Sequence, residues 1–461
     1  MLSSLGFLTV GAILALLLTN RVAAVVALAG VPVVTGLVAG FGPAEVGEFA
    51  ASGLGDVVGV TTMFVFAIVY FGVMRDAGMF DPVISRIVAF AGNAPVTVCL
   101  ATTALACAAH LDGAGATTFL ITIPAMLPIF DRLGMRRLVL ATCVGLGAGV
   151  MNLLPWGGPT ARAATTTGVP VNDLWVPLIP AQIAGVATVL GIAWFLGRRE
   201  ARRLAVDRPG VVQDGVAVAA GGVPASGSAG SPGLPGDSDP AAAGHDPAGD
   251  LRRPRLLWFN VALTIAVIGC LIAAVAPAEL LFLVAVVIAL VVNYPGLKRQ
   301  TDRIEAHARG AMLMATTLLA AGVFLGVLDG TGMIDAMAAT AAEAIPGAAA
   351  PALPLIVGIL GVPLSLLFGP DAYYFGVLPV LIGVGEQFGV SGAAIAQASL
   401  LGEETVGFPI SPLTGAFYLL VGLSGVEIGR HIRHLLGWAW LVGLVMLAVA
   451  MATGAVPLWS A

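Results

Sequence analysis

The chain reads as an all-α polytopic membrane protein built from two inverted repeats. Each repeat is expected to hold five transmembrane helices, one of them broken, and one re-entrant hairpin. Three observations predict this: apolar runs of bilayer length, motifs that recur at nearly one offset, and basic residues confined to one side. Of 461 residues, 58% are hydrophobic and 10% charged, and the mean hydropathy is +0.99. A soluble domain carries about 25% charged residues. The net charge of −5 says little, because the charges are segregated by side. The four cysteines (Cys99, Cys107, Cys143, Cys270) lie in apolar runs without CxxC spacing, so they read as small buried apolar residues. The run Leu5–Leu18 has no basic residue before it and no A-x-A site after it, and it reads as a retained span rather than a signal peptide.

A span needs about 20 mostly apolar residues. In the first half these are Leu5–Thr19, Val22–Gly40, Val57–Met74, Leu138–Ala164 and Trp175–Leu196. Leu138–Ala164 is interrupted by Asn152-Leu-Leu-Pro-Trp-Gly-Gly-Pro159. Pro95–Asp131 is two apolar arms meeting at a polar tip, Leu111–Thr118, and reads either as two spans or as one hairpin. After Arg198–Arg203 comes a stretch rich in Gly, Ala, Pro, Ser and Asp. It cannot bury enough apolar surface to fold alone. The expected division is therefore 1–203 as the first repeat, 204–254 as a disordered cytoplasmic linker and 255–461 as the second repeat.

The second half repeats the first. Phe71–Asp81 (FGVMRDAGMFD) matches Leu325–Asp335 (LGVLDGTGMID) at an offset of 254, and Pro155 matches Pro409 at the same offset. Gly113 and Ala116–Phe119 fall against Gly369 and Ala372–Phe375 at 256, and Gly168-Val169 against Gly425-Val426 at 257. Four matches in order at nearly one offset imply duplication. The positive-inside rule then orients the halves. With Pro95–Asp131 re-entrant and both termini outside, every Lys and Arg except Arg162 falls on the cytoplasmic side, Arg21 and Arg75 included. The segments then outside, 41–56, 165–173, 276–279, 329–350 and 383–392, contain acids but no Lys or Arg. Full crossing by the hairpin would put Arg136 and Arg137 outside and break the pattern, so the inverted arrangement is expected.

Charged side chains within a span cost about 2.5–3.5 kcal/mol on insertion scales, so the polar residues there are the candidate site. Broken helices in corresponding halves of a chain point to a secondary transporter's binding site. At the first tip are Asp112, Gly113, Gly115, Thr117 and Thr118; the glycines admit close approach and the amides and hydroxyls suit an anion or ion. The alternative is that Asp112 only caps the second arm. The first break holds Asn152, Gly157, Gly158, Thr160 and Arg162, and Arg162 suits a substrate carboxylate, or else an ion pair with Asp112. The second tip holds Gly369, Asp371, Tyr373 and Tyr374. The second break holds Glu403, Glu404, Thr405, Ser411 and Thr414. Adjacent acids point to different faces of a helix, so one of Glu403 and Glu404 is expected to reach the cavity. Carboxylates there suit a hard cation, through Asp112, Asp371 and Glu404, or a titrating proton carrier, through the same three and Glu403. His110 reads as a hydrogen-bonded helix-end residue, Asp81 and Asp335 as helix caps, and Gly145, Gly147 and Gly149 as close packing.

At these residues the chain resembles the citrate–metal–proton symporter family (CitMHS) of the ion transporter superfamily. The resemblance covers nearly everything but the linker and rests on Phe66–Pro82, Leu111–Pro128, Gly149–Ala163, Val176–Ala181, Pro370–Leu381 and Gly407–Gly429. It implies import of citrate complexed with a divalent metal of the Mg or Ca class, coupled to protons. It also implies a homodimer in the cell membrane, with a fixed scaffold and a moving elevator domain that carries both hairpins. The metal is a co-substrate, and neither a permanently bound cofactor nor a nucleic-acid partner is expected. There is one departure. Where the family pattern before Gly-Phe-Pro runs Gln-Met-Thr-Thr, this chain has Glu403-Glu404-Thr405-Val406. The main alternative is a sodium-coupled di- or tricarboxylate carrier of the same architecture. An embedded enzyme is disfavoured, because no GxSxG or HExxH lies in a span.

Overall fold

The computed structural model describes residues 1–19, 22–207, 251–344 and 350–459. Among them every regular element is helical. Seven helical stretches are long and apolar enough to cross a bilayer. The first half runs α1 (Leu2–Leu18), α2 (Val31–Val38, entered through a π turn), α3 (Pro43–Asp76), α4 (Asp81–Ala91), α5 (Pro95–Ala109), α6 (Gly115–Leu133), α7 (Arg137–Met151), α8 (Gly158–Thr167), the short α9 (Val171–Trp175) and α10 (Ile179–Asp207). The second runs α11 (Leu257–Ile272), α12 (Ala278–Asn293), α13 (Leu297–Gly330), α14 (Met333–Ala344), α15 (Leu353–Leu364), α16 (Leu378–Gln387), α17 (Gly392–Leu400), α18 (Gly415–Ser424) and α19 (Ile428–Ala452). Apart from α9, the order of long, short and broken elements is the same in both halves. α3 and α13, each of 34 residues, occupy equivalent places.

α3 and α13 cross antiparallel, and glycine sets their separation. A Cβ at Gly53 would sit 2.1 Å from the Gly322 carbonyl, and one at Gly326 would sit 2.3 Å from the Phe49 carbonyl. Only a residue without a side chain permits this approach, which gives dispersion contacts that lipid cannot match. The contacts also come in pairs. Gly53 meets Gly326, and at an offset of 254 the same pair becomes His307 and Gly72, which also touch. Phe49 meets Gly330, and the matching positions are Arg303 and Asp76, which form an ion pair at 3.0 Å.

The structure revises several element limits. Residues 41–56, expected outside and before the span that starts at Val57, are mostly the first turns of α3, because packing on α13 carries the helix past Glu45, Glu48 and Asp56. The 329–350 loop largely becomes α14. Asp81 and Asp335 lie in the first turns of α4 and α14 rather than at cap positions. Of the linker expected over 204–254, residues to Asp207 continue α10 and those from Leu251 lead into α11; the rest, like Arg21, lies outside the described residues. The glycines of α7 serve packing: a Cβ at Gly147 would lie 2.6 Å from the Thr103 carbonyl. Where the base of the first hairpin meets α10, the fully buried Glu200 accepts from Arg136 Nε at 2.6 Å and Arg203 Nη2 at 3.0 Å.

Candidate functional site

The first hairpin turns through a 3₁₀ segment, His110–Asp112, and Gly113 at φ +73°. A Cβ on Gly113 would also meet the Trp156 carbonyl at 3.0 Å, so glycine is required twice over. Asp112 accepts from the Ala114 amide and from Arg75 Nη1, both at 2.9 Å, and Arg75 also donates to Thr117 Oγ1 at 3.1 Å. Trp156 Nε1 donates to the Leu111 carbonyl at 2.8 Å. His110, fully buried, pairs through Nδ1 with Thr118 Oγ1 at 2.8 Å and through Nε2 with Asn152 Oδ1 at 3.2 Å. An amide oxygen only accepts, so Nε2 carries the proton; the single Thr118 hydroxyl hydrogen lies between Nδ1 and the Ala114 carbonyl, 3.0 Å from Oγ1. His110 is thus the hydrogen-bonded helix-end residue that the sequence suggests, and the tip is stapled to the first break.

α7 stops at Met151 and α8 starts at Gly158, with Asn152–Gly157 irregular between them. In the second half α17 stops at Leu400 and α18 starts at Gly415. Glu403 and Glu404 lie in this non-helical break, not on a helix as assumed, and Glu404 has φ +50°. A left-handed conformation costs a residue with a Cβ about 1–2 kcal/mol. Three contacts hold it. The Glu404 carbonyl accepts from Asn152 Nδ2 at 2.7 Å, its amide donates to Ser365 Oγ at 3.0 Å, and Ser365 Oγ donates to Glu403 Oε2 at 3.0 Å. The backbone twist separates the acids. Glu404 lines the cavity, while Glu403, fully buried, faces the second hairpin.

The second tip, between α15 and α16, enters α16 through a π turn at Ala372–Val377. Asp371 Oδ1 accepts from Arg162 Nε at 2.7 Å. The structure therefore corrects the Arg162–Asp112 pairing: Asp112 belongs to Arg75, and Arg162 to Asp371. Tyr373 bonds Ser399 Oγ at 2.9 Å and Tyr374 donates to the Glu403 carbonyl at 3.0 Å, so the hydroxyls anchor the hairpin on the end of α17 and on the second break.

Both tips and both breaks meet around one cavity of about 470 Å³. Asp112, Gly113, Gly115, Thr117, Asn152, Gly158, Arg162, Glu404 and Thr414 line it. Gly369 and Asp371 line a smaller adjoining cavity of about 170 Å³ that shares Pro370. Thr118, Gly157, Thr160, Tyr373, Thr405 and Ser411 line neither. The far wall is α3 and α13, and it brings in two residues that the sequence reading missed, Arg75 and His307. A signal for Arg75 existed: its counterpart 254 residues on is Asp329, so the charge reverses within a matched motif whose Gly-Val, Gly-Met and closing Asp are shared. Asp112, Asp371 and Glu404 do not converge, and no group of three or more metal-ligating side chains forms among the described residues. Each aspartate is instead held by an arginine. Glu404 Oε1 is buried and without a hydrogen-bond partner among the described residues. The helix starts at Gly115, Gly158 and Thr414–Gly415 add positive dipole ends around the same space.

Comparison with known proteins agrees with this architecture. The model of the citrate transporter family CitMHS matches residues 8–402. A citrate transporter of Bacillus subtilis (strain 168) is 41% identical over 454 residues, 98% of this chain and 99% of that one. A Mg(2+)/citrate complex secondary transporter of the same organism is 39% identical over 456 residues, 99% of each chain. Among solved structures, the YdaH transporter of Alcanivorax borkumensis, described as having an unusual topology, superposes with a TM-score of 0.56 at 16% identity, covering 88% of this chain and 89% of that one, and so shares the fold. The chain is a multi-pass membrane protein, and it belongs to the citrate transporter family CitMHS.

Proposed function

We propose that this protein is a secondary active transporter that imports citrate complexed with a divalent ion of the Mg or Ca class, in symport with protons. The observation that carries the reading is the single cavity where both hairpin tips and both helix breaks meet, with Arg75 and Arg162 each held by an aspartate. A metal–citrate complex carries a charge near −1. Its carboxylates can replace Asp112 on Arg75 and Asp371 on Arg162, because a guanidinium offers several N–H donors to any carboxylate. The displaced aspartates are then partly buried anions without a counter-charge, and protonation relieves them. Substrate binding and proton uptake become one exchange. The metal travels with citrate, and Glu404 Oε1, which has no hydrogen-bond partner among the described residues, is the protein oxygen assigned to it on this reading.

The related Mg(2+)/citrate transporter supports the metal complex as substrate. Labelled citrate uptake into proteoliposomes, with Mg, Ca, Ni, Zn or no divalent ion and under a proton or a sodium gradient, tests it. Uptake that needs the divalent ion and follows protons is expected; metal-free uptake following sodium overturns the metal and proton assignments.

The same reading takes the halves as inverted and the mechanism as elevator-like, in a homodimer of the plasma membrane. The antiparallel, pairwise-matched contacts of α3 and α13 support a two-fold axis between the halves. α7, of 15 residues, spans about 22 Å at 1.5 Å per residue against a hydrocarbon core of about 30 Å. The first tip docks at the end of α7, which supports a re-entrant hairpin. The chain of bonds Thr118–His110–Asn152–Glu404–Ser365–Glu403 joins both hairpins and both breaks into one unit that can slide against α3 and α13. Cysteines placed at Val169 and Ala205 should label from opposite faces. Labelling of both from one face removes the inverted topology.

A further inference from the structure

A cavity of about 200 Å³ shares no lining residue with the substrate cavity, and three arginines line it. Arg253 stands just before α11, and Arg299 and Arg303 lie in the first two turns of α13. Leu251, Tyr294 and Asp302 complete the lining. Two of the guanidinium groups are fixed in place. Arg253 Nε donates to the Asn293 carbonyl at 2.8 Å, and its guanidinium lies 4.8 Å from the centre of the Tyr294 ring. Arg303 donates to Asp76 Oδ2 at 3.0 Å and lies 6.0 Å from the same ring. The Tyr294 hydroxyl donates to the Leu251 carbonyl at 2.8 Å, so the ring is held as well. The Arg299 side chain makes no hydrogen bond or ion pair among the described residues. Three cations share this space with one acid, Asp302, which leaves it positive. Like charges so placed repel, and an anion among them relieves the repulsion.

The duplication provides an internal control. At an offset of 254, Gly296, Arg299, Asp302 and Arg303 correspond to Gly42, Glu45, Glu48 and Phe49. In the first half Glu45 Oε2 accepts from the Gly42 amide at 2.6 Å, so α3 supplies an anion to its own positive end. α13 has no acid in its first turn and no side-chain cap, and places Lys298 and Arg299 there instead. Cations at a helix start oppose its dipole. The anion that the first half carries within its chain is thus missing from α13, at the place where the arginines gather.

We infer that this cavity binds one phosphate group, that of an anionic phospholipid headgroup. Guanidinium groups match phosphate oxygens as a fork, and basic pockets at the ends of membrane helices take acidic headgroups. The position favours lipid over free phosphate. α11 and α12 are apolar helices; α11 begins four residues after Arg253, and α12 ends one residue before Tyr294. The cavity therefore sits at the membrane surface. Trp258 and Leu297, near the starts of α11 and α13, are 81% and 82% exposed. Apolar side chains so exposed beside a basic cavity suit the level of the headgroups, not open water.

The test uses the full-length protein in detergent micelles at about 0.15 M salt, where exposed charges farther apart than about 8 Å are screened. Phosphatidylglycerol, phosphatidylcholine and inorganic phosphate are added in turn. Retained lipid is read by native mass spectrometry and the melting temperature in parallel. Phosphatidylglycerol should be retained and should raise the melting temperature, and phosphatidylcholine should do neither. Arg299→Gln should weaken that binding about fivefold or more, which corresponds to about 1 kcal/mol per basic residue. Lys298 lies in the same turn but does not line the cavity. Lys298→Gln should therefore leave binding within about twofold, since screening removes most of its influence. Arg299→Glu restores the pattern of the first half, so it should abolish retention while raising the melting temperature of the lipid-free protein. That rise also certifies an intact fold. Equal losses in Lys298→Gln and Arg299→Gln would mean diffuse attraction and overturn the site, as would unchanged retention in Arg299→Gln. An equal melting shift from inorganic phosphate, with no lipid retained, overturns the lipid as its source.

Discussion

Two arginine–aspartate pairs border the same cavity, and they differ in what they join. Arg75–Asp112, at 2.9 Å, ties α3 to the first hairpin tip, and the arginine is 34% exposed. Arg162–Asp371, at 2.7 Å, ties the first broken helix to the second hairpin, and the arginine is 11% exposed. The first pair crosses from the wall to the hairpin unit; the second lies within that unit. If the unit slides, Arg75–Asp112 must open in every cycle, whereas Arg162–Asp371 need open only for substrate. Equal chemistry at similar distance therefore has unequal mechanical meaning.

The largest expected effect is at the inner pair. Arg162→Ala should cut citrate uptake about 100-fold or more, because truncating one partner of a buried charge pair costs about 2–5 kcal/mol. Arg162→Lys should not restore it, since a point charge cannot make the guanidinium fork. Uptake within about tenfold of wild type in the alanine variant would make Arg162 a structural residue, on the energy scale just given. The outer pair should behave differently. Arg75→Ala removes a more exposed charge and frees the first tip, at about 1–3 kcal/mol. A cysteine at Ala114 should then react faster with a polar thiol reagent, and citrate binding should weaken less than in Arg162→Ala. Unchanged labelling would mean that Arg75 does not hold the tip. The smallest effect on transport chemistry, though a clear one on stability, belongs to the joint of the unit itself. A Cβ at Gly407 would lie 2.0 Å from Ser365 Oγ, so Gly407→Ala should cost about 1–3 kcal/mol of stability. A lowered melting temperature in detergent checks it, and an unchanged one would show that Ser365 can give way.

Much of the fold was legible in the sequence, and so was the part of the site that depends on chain breaks. Asn152, Gly158, Glu404 and Thr414 stand where prolines and glycines interrupt apolar runs, and all four line the cavity. Less legible were residues whose role depends on a partner far along the chain. Arg75 reads as a boundary cation under the positive-inside rule, yet its side chain reaches inward to Asp112 and Thr117. Tyr373 and Tyr374 read as cavity hydroxyls because they occupy the tip, yet they bond Ser399 and the Glu403 carbonyl. His307 has neighbours in sequence that mark only a helix, and its partner Asp76 lies 231 residues away. The start of α3 was obscured by Glu45, Glu48 and Asp56, which lower the local hydropathy although the helix continues through them.

The apolar runs, the two tips, the two breaks and the matched motifs of the two halves were determined by the sequence alone, because hydrophobic run length and Pro/Gly interruption act over a few residues at a time. Tertiary structure decided which arginine holds which aspartate and which glutamate enters the cavity. Arg162 and Asp371 are 209 residues apart. Glu404 faces inward through a left-handed backbone that Asn152, from the other half of the chain, helps to hold. Ion pairing and backbone strain at such a site depend on what folding brings within a few ångströms, and no local pattern carries that information.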